Sequence, residues 1–234
     1  MEILPDRPAL AARAAEFVGR RLAGAVNDHG RATLAVSGGS TPEAFFAALA
    51  QQGLPWESIH VFQVDERVAP PGDPDRNLTG LQTALLDRVP IPAANVHPMP
   101  VDEPDLARAA AGYADEIRSL LGPDGRLSIV HLGLGDDGHT ASWPPGDPVV
   151  DATVDVALAG PFNGRMRMTL TPPLVNRADV IVWLIAGAAK APVLRRLLSH
   201  DPELPASRVR RSGVTVLADA AAGTELPGGG PSEA

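Results

Sequence analysis

Apolar residues recur along the chain in two patterns, one typical of helices and one typical of buried strands. Near the N-terminus, Leu10, Ala14, Phe17, Val18 and Leu22 recur at helical spacing and predict an amphipathic helix. Short continuous apolar runs predict strands that are buried on both faces. Five runs fit this description: 32–36, 59–64, 127–132, 180–187 and 214–219. Because helical stretches separate them, the pattern predicts an α/β fold with three layers and a mainly parallel sheet.

Local signals refine the boundaries of these elements. Ser40 and Glu43 fit a capping box, and Pro42 suits the first turn of a second helix that continues to Gly53. We expect residues 1–222 to form one domain and the glycine- and proline-rich tail 223–234 to be disordered. Proline-rich stretches also predict three loops, at 69–74, 90–104 and 143–148.

Composition narrows the classes of function. The 234 residues carry a net charge of −8 without a basic stripe, so we expect no nucleic-acid partner. No run of 18 apolar residues or targeting segment occurs, so we expect a cytoplasmic protein with no membrane partner. The absence of cysteine excludes disulfides and cysteine-based sites. Small molecules are the expected partners, and although the sequence does not determine the oligomeric state, we favour a monomer.

Four polar segments directly follow predicted strands. Their sequences are "SGGST" at 37–41, "DER" at 65–67, "GLGDDGHT" at 133–140 and "GAAK" at 187–190. In open parallel α/β sheets, ligands bind beyond the carboxyl ends of the strands. We therefore expect the four segments to meet at one edge of the sheet.

The first segment is a candidate anion site. Its two glycines, Gly38 and Gly39, let backbone N–H groups converge between Ser37 and Thr41, and Ser40 begins a helix whose N-terminus adds partial positive charge. A simple tight turn with a capping serine is the alternative. The turn lacks the Gly-Lys-Ser/Thr ending of a nucleoside-triphosphate loop, which favours a phosphorylated metabolite over ATP.

The histidine in "GLGDDGHT" has several possible roles. A dinucleotide turn would open a long helix, whereas prolines follow closely in "HTASWPPGDP". Asp136, Asp137 and His139 are plausible metal ligands, but nothing at metal-ligand spacing completes such a site, so we expect no metal. No G-x-S-x-G elbow occurs. A solvent-facing loop histidine remains possible, while the flanking glycines and carboxylate favour a positioned general base.

Charged residues near these segments are candidates for substrate binding. Arg67, Arg167 and Lys190, which is the sole lysine, are ordinary surface charges by default. Beside a phosphate-binding turn, each becomes a candidate residue for binding the phosphate anion. Asp65 is a candidate partner for substrate hydroxyls or for His139.

Six strings in fixed order resemble one known family over residues 32–220. They are "SGGSTP", "DER", "NLTG", "LGLGDDGHTAS", "RMTLTPPLVNRAD" and "GAAKAPVL". Together they are similar to the 6-phosphogluconolactonase family. The resemblance implies a modified Rossmann-like fold and hydrolysis of 6-phospho-D-glucono-1,5-lactone, a sugar-phosphate lactone of the oxidative pentose phosphate pathway, without metal or organic cofactor.

The resemblance also implies roles for individual residues. His139 matches the histidine proposed to activate water, and Arg67 matches an arginine at the substrate. Residues 37–41, Arg167 and Lys190 match positions around the substrate and its phosphate. Asn77, also expected at the substrate, begins "NLTG", which replaces the commoner Ser-Asn pair. The chain also departs from the family at "ASWPPG" and at "VTVLAD".

These expectations combine into one hypothesis. His139 takes a proton from water with Asp137 or Asp65 in support, while the 37–41 turn, Arg167 and Lys190 hold the phosphate. Two alternatives stay open. An amino-sugar phosphate deaminase or isomerase would share the turn and the histidine loop, but this chain lacks the glutamate that such enzymes carry after the histidine. A non-catalytic sugar-phosphate sensor would need the turn and no base.

Overall fold

The computed structural model describes residues 1–122 and 125–227, which form ten strands and six α-helices. The strands are β1 (Glu2–Leu4), β2 (Ala32–Val36), β3 (Ile59–Gln63), β4 (Asp65–Arg67), β5 (Val96–His97), β6 (Ile129–Leu132), β7 (Val156–Phe162), β8 (Arg165–Leu170), β9 (Val180–Ile185) and β10 (Val214–Asp219). The helices are α1 (Arg7–His29), α2 (Ser40–Leu49), α3 (Asn77–Ala84), α4 (Leu106–Leu121), α5 (Pro172–Arg177) and α6 (Ala191–Leu198).

Seven strands form one parallel sheet in the order β1-β10-β9-β6-β2-β3-β5. The five predicted apolar runs are β2, β3, β6, β9 and β10, and their side chains are almost all buried. One apolar cluster packs α1, α2 and α3 against the sheet, and a second packs α4, α5 and α6 against it. The predicted α/β fold with a mainly parallel sheet is confirmed.

Helix α1 confirms the first predicted helix. Every apolar residue that defined its spacing is buried. Asp6 caps it by accepting the backbone N–H of Ala9 at 2.8 Å, and Gly30 ends it with a left-handed φ of 75°. This geometry brings the N-terminus of α1 to the end of β1, beside the carboxyl edge of the sheet.

A small antiparallel sheet, which the apolar pattern did not predict, lies next to that edge. Its strand order is β4-β8-β7. The chain leaves the large sheet after Gln63, so the predicted strand 59–64 is slightly too long. Residues 65–67 are a strand of the second sheet, in which Asp65 pairs with Thr169 and Arg67 with Arg167. Two candidate arginines from distant parts of the sequence thus become neighbours.

Further local predictions differ from the structure. Helix α2 ends at Leu49 and not at Gly53. Ser40 is the first residue of α2 and Gly39, with φ of 113°, precedes it, so the predicted capping box is wrong. The predicted loop 90–104 contains β5. Residues 223–227 form turns in which Leu226 packs against the core, while the rest of the predicted tail lies outside the described residues. Among the helices described, none is long and apolar enough to cross a bilayer.

Candidate active site

A cavity of about 320 Å³ opens where the carboxyl ends of β2, β6 and β9 meet β4 and β8. Residues from all four polar segments line it, as expected from the strand ends. The predicted site residues on its wall are Ser37, Gly38, Gly39, Thr41, Asp65, Arg67, Asn77, His139, Arg167 and Lys190. The other two predicted site residues adjoin residues of this wall. Ser40 belongs to the same turn and is the first residue of α2, and Asp137 contacts His139.

His139 is held by Asp137 and by the glycines around it. Its Nδ1 lies 2.5 Å from Oδ1 of Asp137, and the same oxygen accepts the His139 backbone N–H at 3.1 Å. A Cβ at Gly135 would lie 2.0 Å from Nδ1, so the imidazole occupies space that only glycine leaves open. The Phe162 ring packs edge-on against the imidazole, with ring centroids 5.0 Å apart. The ring is therefore fixed on three sides while it lines the cavity.

Asp65 has other partners than His139. Its carboxylate accepts the Ser142 hydroxyl at 2.6 Å and lies 4.0 Å from Nη1 of Arg167. Burial raises the pKa of Asp65, against the opposing effects of the Ser142 hydrogen bond and of Arg67 and Arg167. Of the two carboxylates suggested as support for His139, the structure brings Asp137 into contact with it.

The cavity wall carries four cations. Arg7, Arg67, Arg167 and Lys190 line it, whereas Asp65 is the carboxylate among its described lining residues. The Arg67 side chain donates to the Asp75 carbonyl, and its buried Nε has no hydrogen-bond partner among the described residues. This excess of positive charge favours an anionic ligand. Within residues 1–122 and 125–227, no group of three or more histidine or carboxylate side chains is arranged to hold a metal.

Comparisons with known proteins identify the family. A family model described as glucosamine-6-phosphate isomerases/6-phosphogluconolactonase matches residues 5–217. The chain belongs to this family. It is 39% identical over 234 residues to the 6-phosphogluconolactonase of Nostoc sp. (strain PCC 7120), with 97% of this chain and 98% of that protein covered.

Solved structures agree with that membership. The crystal structure of 6-phosphogluconolactonase from Thermotoga maritima matches with a TM-score of 0.85 and 29% identity, covering 93% of this chain and 97% of that one. A monomeric glucosamine-6-phosphate deaminase matches with a TM-score of 0.82 at 21% identity, covering 96% and 100%. The latter likeness concerns the fold alone. The modified Rossmann-like fold implied by the resemblance is thus confirmed.

One departure from the sequence pattern of this family lies away from the cavity. Trp143 of "ASWPPG" is fully buried in the core, where its indole N–H donates to the Leu170 carbonyl at 2.8 Å. In contrast, Asn77 of "NLTG" lines the cavity, and its side-chain N–H donates to the Asp65 carbonyl at 2.8 Å. We therefore expect the second departure, not the first, to bear on ligand contacts.

Glu66 is a supporting residue that sequence reasoning missed, although it lies between two predicted site residues. It is fully buried and accepts the backbone N–H groups of Arg67, Asn77 and Leu78 at 2.7–2.8 Å. Its carboxylate thus caps the N-terminus of α3. A buried acid within "DER" is the available signal, since such a group needs several donors.

His131 and Arg7 were also missed. The backbone N–H of Ser37 donates to Nδ1 of His131 at 3.3 Å, and the Ser37 hydroxyl donates to the His131 carbonyl at 3.1 Å. The apolar run around His131 gave no hint that its side chain supports the anion turn. Arg7 reaches the cavity from the first turn of α1, because the three-residue strand β1 places it there.

Proposed function

We propose that this protein hydrolyses 6-phospho-D-glucono-1,5-lactone to 6-phosphogluconate. The observation that carries the proposal is that one cavity is lined both by His139, with Asp137 bound to its ring, and by four cationic side chains. A base and an anion site on the same wall suit a substrate that carries a phosphate and a hydrolysable bond. Membership of the family supports the same substrate class.

The phosphate is held by the turn 37–41 together with Arg167 and Lys190. Backbone N–H groups of a glycine-rich turn at the start of α2 provide anion donors with partial positive charge. Arg167 is buried, and its guanidinium packs on the Phe162 ring with 5.0 Å between Cζ and the centroid. This anchoring orients the lactone carbonyl toward His139, so that binding energy at the phosphate serves the chemistry at C1.

His139 acts as the general base. The neutral ring donates Nδ1–H to Asp137 and removes a proton from water through Nε2 while the water oxygen bonds to C1. The carbonyl electron pair moves onto its oxygen, where Arg67 and backbone N–H groups stabilise the oxyanion. Collapse of the tetrahedral intermediate breaks the bond between C1 and the ring oxygen, which takes the proton back from the imidazolium. The product is the open-chain acid.

A coupled assay tests the proposal. Glucose-6-phosphate dehydrogenase generates the δ-lactone in situ, and its disappearance is followed against the spontaneous rate. Because general-base assistance contributes about 10² to 10⁴ in rate, His139→Gln is expected to lose activity on that scale and still bind product. His29→Gln, at the exposed end of α1, is the matched control. Full activity in His139→Gln would disprove the assignment.

Two further measurements separate the alternatives. Release of ammonia from glucosamine 6-phosphate would favour a deaminase, although this chain has Pro144 at the position after His139 where such enzymes carry their glutamate. Calorimetric binding of 6-phosphogluconate without turnover of fresh lactone would favour a sensor.

A further inference from the structure

Arg7 lines the cavity and is largely exposed. Its nearest carboxylate is Asp219, with 4.0 Å between Nε of Arg7 and Oδ2, and none of the described residues accepts a hydrogen bond from its guanidinium within 3.5 Å. The side chain is 63% exposed. A guanidinium in this state has its fork of N–H donors available to a ligand.

Asp219 attracts Arg7 electrostatically but accepts no hydrogen bond from its guanidinium. Asp219 is buried at the end of β10, and its carboxylate accepts the backbone N–H of Gly187 at 2.9 and 3.0 Å and that of Ala222 at 2.8 Å. Both carboxylate oxygens of Asp219 thus accept hydrogen bonds from backbone N–H groups. The remaining negative charge attracts Nε of Arg7 at 4.0 Å and leaves both Nη groups without an acceptor among the described residues.

The position of Arg7 over Gly187 places it on the cavity side. Nη2 lies 3.0 Å from the point where a Cβ of Gly187 would stand, so the glycine leaves room for the guanidinium. Gly187 begins the segment that ends at Lys190, and both Arg7 and Lys190 line the same cavity as the 37–41 turn. Nζ of Lys190 is itself 2.5 Å from Oδ1 of Asp136, which neutralises part of its charge.

We infer that Arg7 is a phosphate-binding residue that holds the substrate's phosphate together with the 37–41 turn, which lines the same cavity. This inference rests on the proposed function for the identity of the substrate, but not for the anion chemistry. A planar guanidinium suits the oxygens of a phosphate through two parallel N–H bonds, in a way that the single ammonium of Lys190 does not. Arg7 therefore adds to the preference for phosphorylated over unphosphorylated lactone.

Substitution of Arg7 tests the inference through binding. Arg7→Gln is expected to raise the Kd of inorganic phosphate, measured by titration calorimetry, and the KM of the 6-phospholactone by about fivefold to tenfold. The kcat is expected to stay within about twofold, since Arg7 does not reach the reacting carbonyl in this proposal. Arg7→Lys is expected to recover only part of the affinity, because the charge remains and the fork is lost.

Two comparisons make the result specific. Arg20→Gln removes an arginine from the same helix with 62% exposure, paired with Glu16 at 2.9 Å, and is expected to leave Kd and KM unchanged. Unphosphorylated glucono-1,5-lactone is expected to react with the same kcat/KM in Arg7→Gln and the unaltered protein. An equal loss on both lactones would indicate general damage to the site and overturn the inference.

Failure of the inference and of the proposed function give different results. Unchanged phosphate Kd and lactone KM in Arg7→Gln, with lactonase activity present, would overturn the role of Arg7 alone. An Arg7-dependent phosphate Kd in a protein that does not hydrolyse the lactone would support the anion site and overturn the proposed reaction.

Discussion

The Nδ1 atom of His139 lies 2.5 Å from the Oδ1 atom of Asp137, two residues earlier in the chain. Because an ionised carboxylate can only accept, the neutral imidazole carries its proton on Nδ1 and keeps a lone pair on Nε2. Burial alone would raise the pKa of Asp137, but the hydrogen bonds from the backbone and ring of His139 outweigh it and lower that pKa. The carboxylate therefore stays ionised at neutral pH and maintains the tautomer that a general base needs.

Asp137→Asn is expected to reduce kcat by about 10²-fold or more, with a smaller effect on KM. The amide of Asn can donate to Nδ1 and so stabilise the wrong tautomer. The measurement is kcat for the lactone, with Asp115→Asn on α4 as a control, since that carboxylate is 72% exposed and pairs only with Arg118 among the described residues. An unchanged kcat in Asp137→Asn would show that the contact is not needed.

Glu66→Gln is expected to destabilise the protein by about 3–5 kcal/mol. Gln offers one acceptor oxygen where Glu66 serves three backbone N–H groups, and it removes the buried charge partner of Arg76, whose Nε is 3.5 Å from the carboxylate. The loss in the free energy of unfolding is measured by urea denaturation. Asp102→Asn removes the exposed partner of the same arginine, at 3.0 Å, and should change stability by less than about 1 kcal/mol.

Much of the fold follows from the sequence because its strands are buried on both faces. The runs that became β2, β6 and β9 are short, apolar and bounded by glycine or charge, so their strand state and their common edge are predictable. That edge rule also predicts that His139 and the 37–41 turn share one cavity. Local chemistry and sheet geometry together place most of the candidate site.

The rest depends on non-local pairing that apolar periodicity does not encode. Strand β4 has three residues, and its partner Arg167 lies a hundred positions later, so nothing local indicates that Arg67 and Arg167 are neighbours. The three-residue edge strand β1 likewise gives no periodic signal, although it places Arg7 at the cavity. The capping box failed for another reason, since Gly39 adopts a backbone conformation that starts α2 one residue earlier than the Ser40 motif implies.

Acidification is expected to destabilise the protein through His131. Burial lowers the pKa of His131 to about 3, from 6.5 in an exposed histidine. Below pH about 6.5 the unfolded chain protonates this histidine whereas the native state does not. The contribution of His131 to stability is therefore constant above that pH and falls as the pH drops toward 3, by about 1.4 kcal/mol per pH unit.

The contribution of His131 can be isolated with His131→Leu. Between pH 7.5 and 5.0, the free energy of unfolding should fall by about 2 kcal/mol less in the variant than in the unaltered protein. Urea unfolding at the two pH values gives this difference, and any constant loss from the missing Ser37 contact cancels. The same pH dependence in both proteins would mean that His131 takes up a proton in the native state.

Gly38→Ala is expected to disrupt the anion turn by displacing Asn77. An added Cβ would lie 2.0 Å from Oδ1 and 2.3 Å from Cγ of Asn77, so that side chain must leave its hydrogen bond with the Asp65 carbonyl. We expect a loss of about 1–3 kcal/mol in stability and weaker binding of inorganic phosphate.

Gly80→Ala is the matched control in α3: a Cβ there meets no atom within 4 Å, and helix propensity predicts a gain of about 0.5–1 kcal/mol. Adding Asn77→Ala to Gly38→Ala should cost less than the sum of the two single changes, because the smaller side chain leaves room for the methyl group. Strict additivity of the two losses would show that the clash is relieved elsewhere.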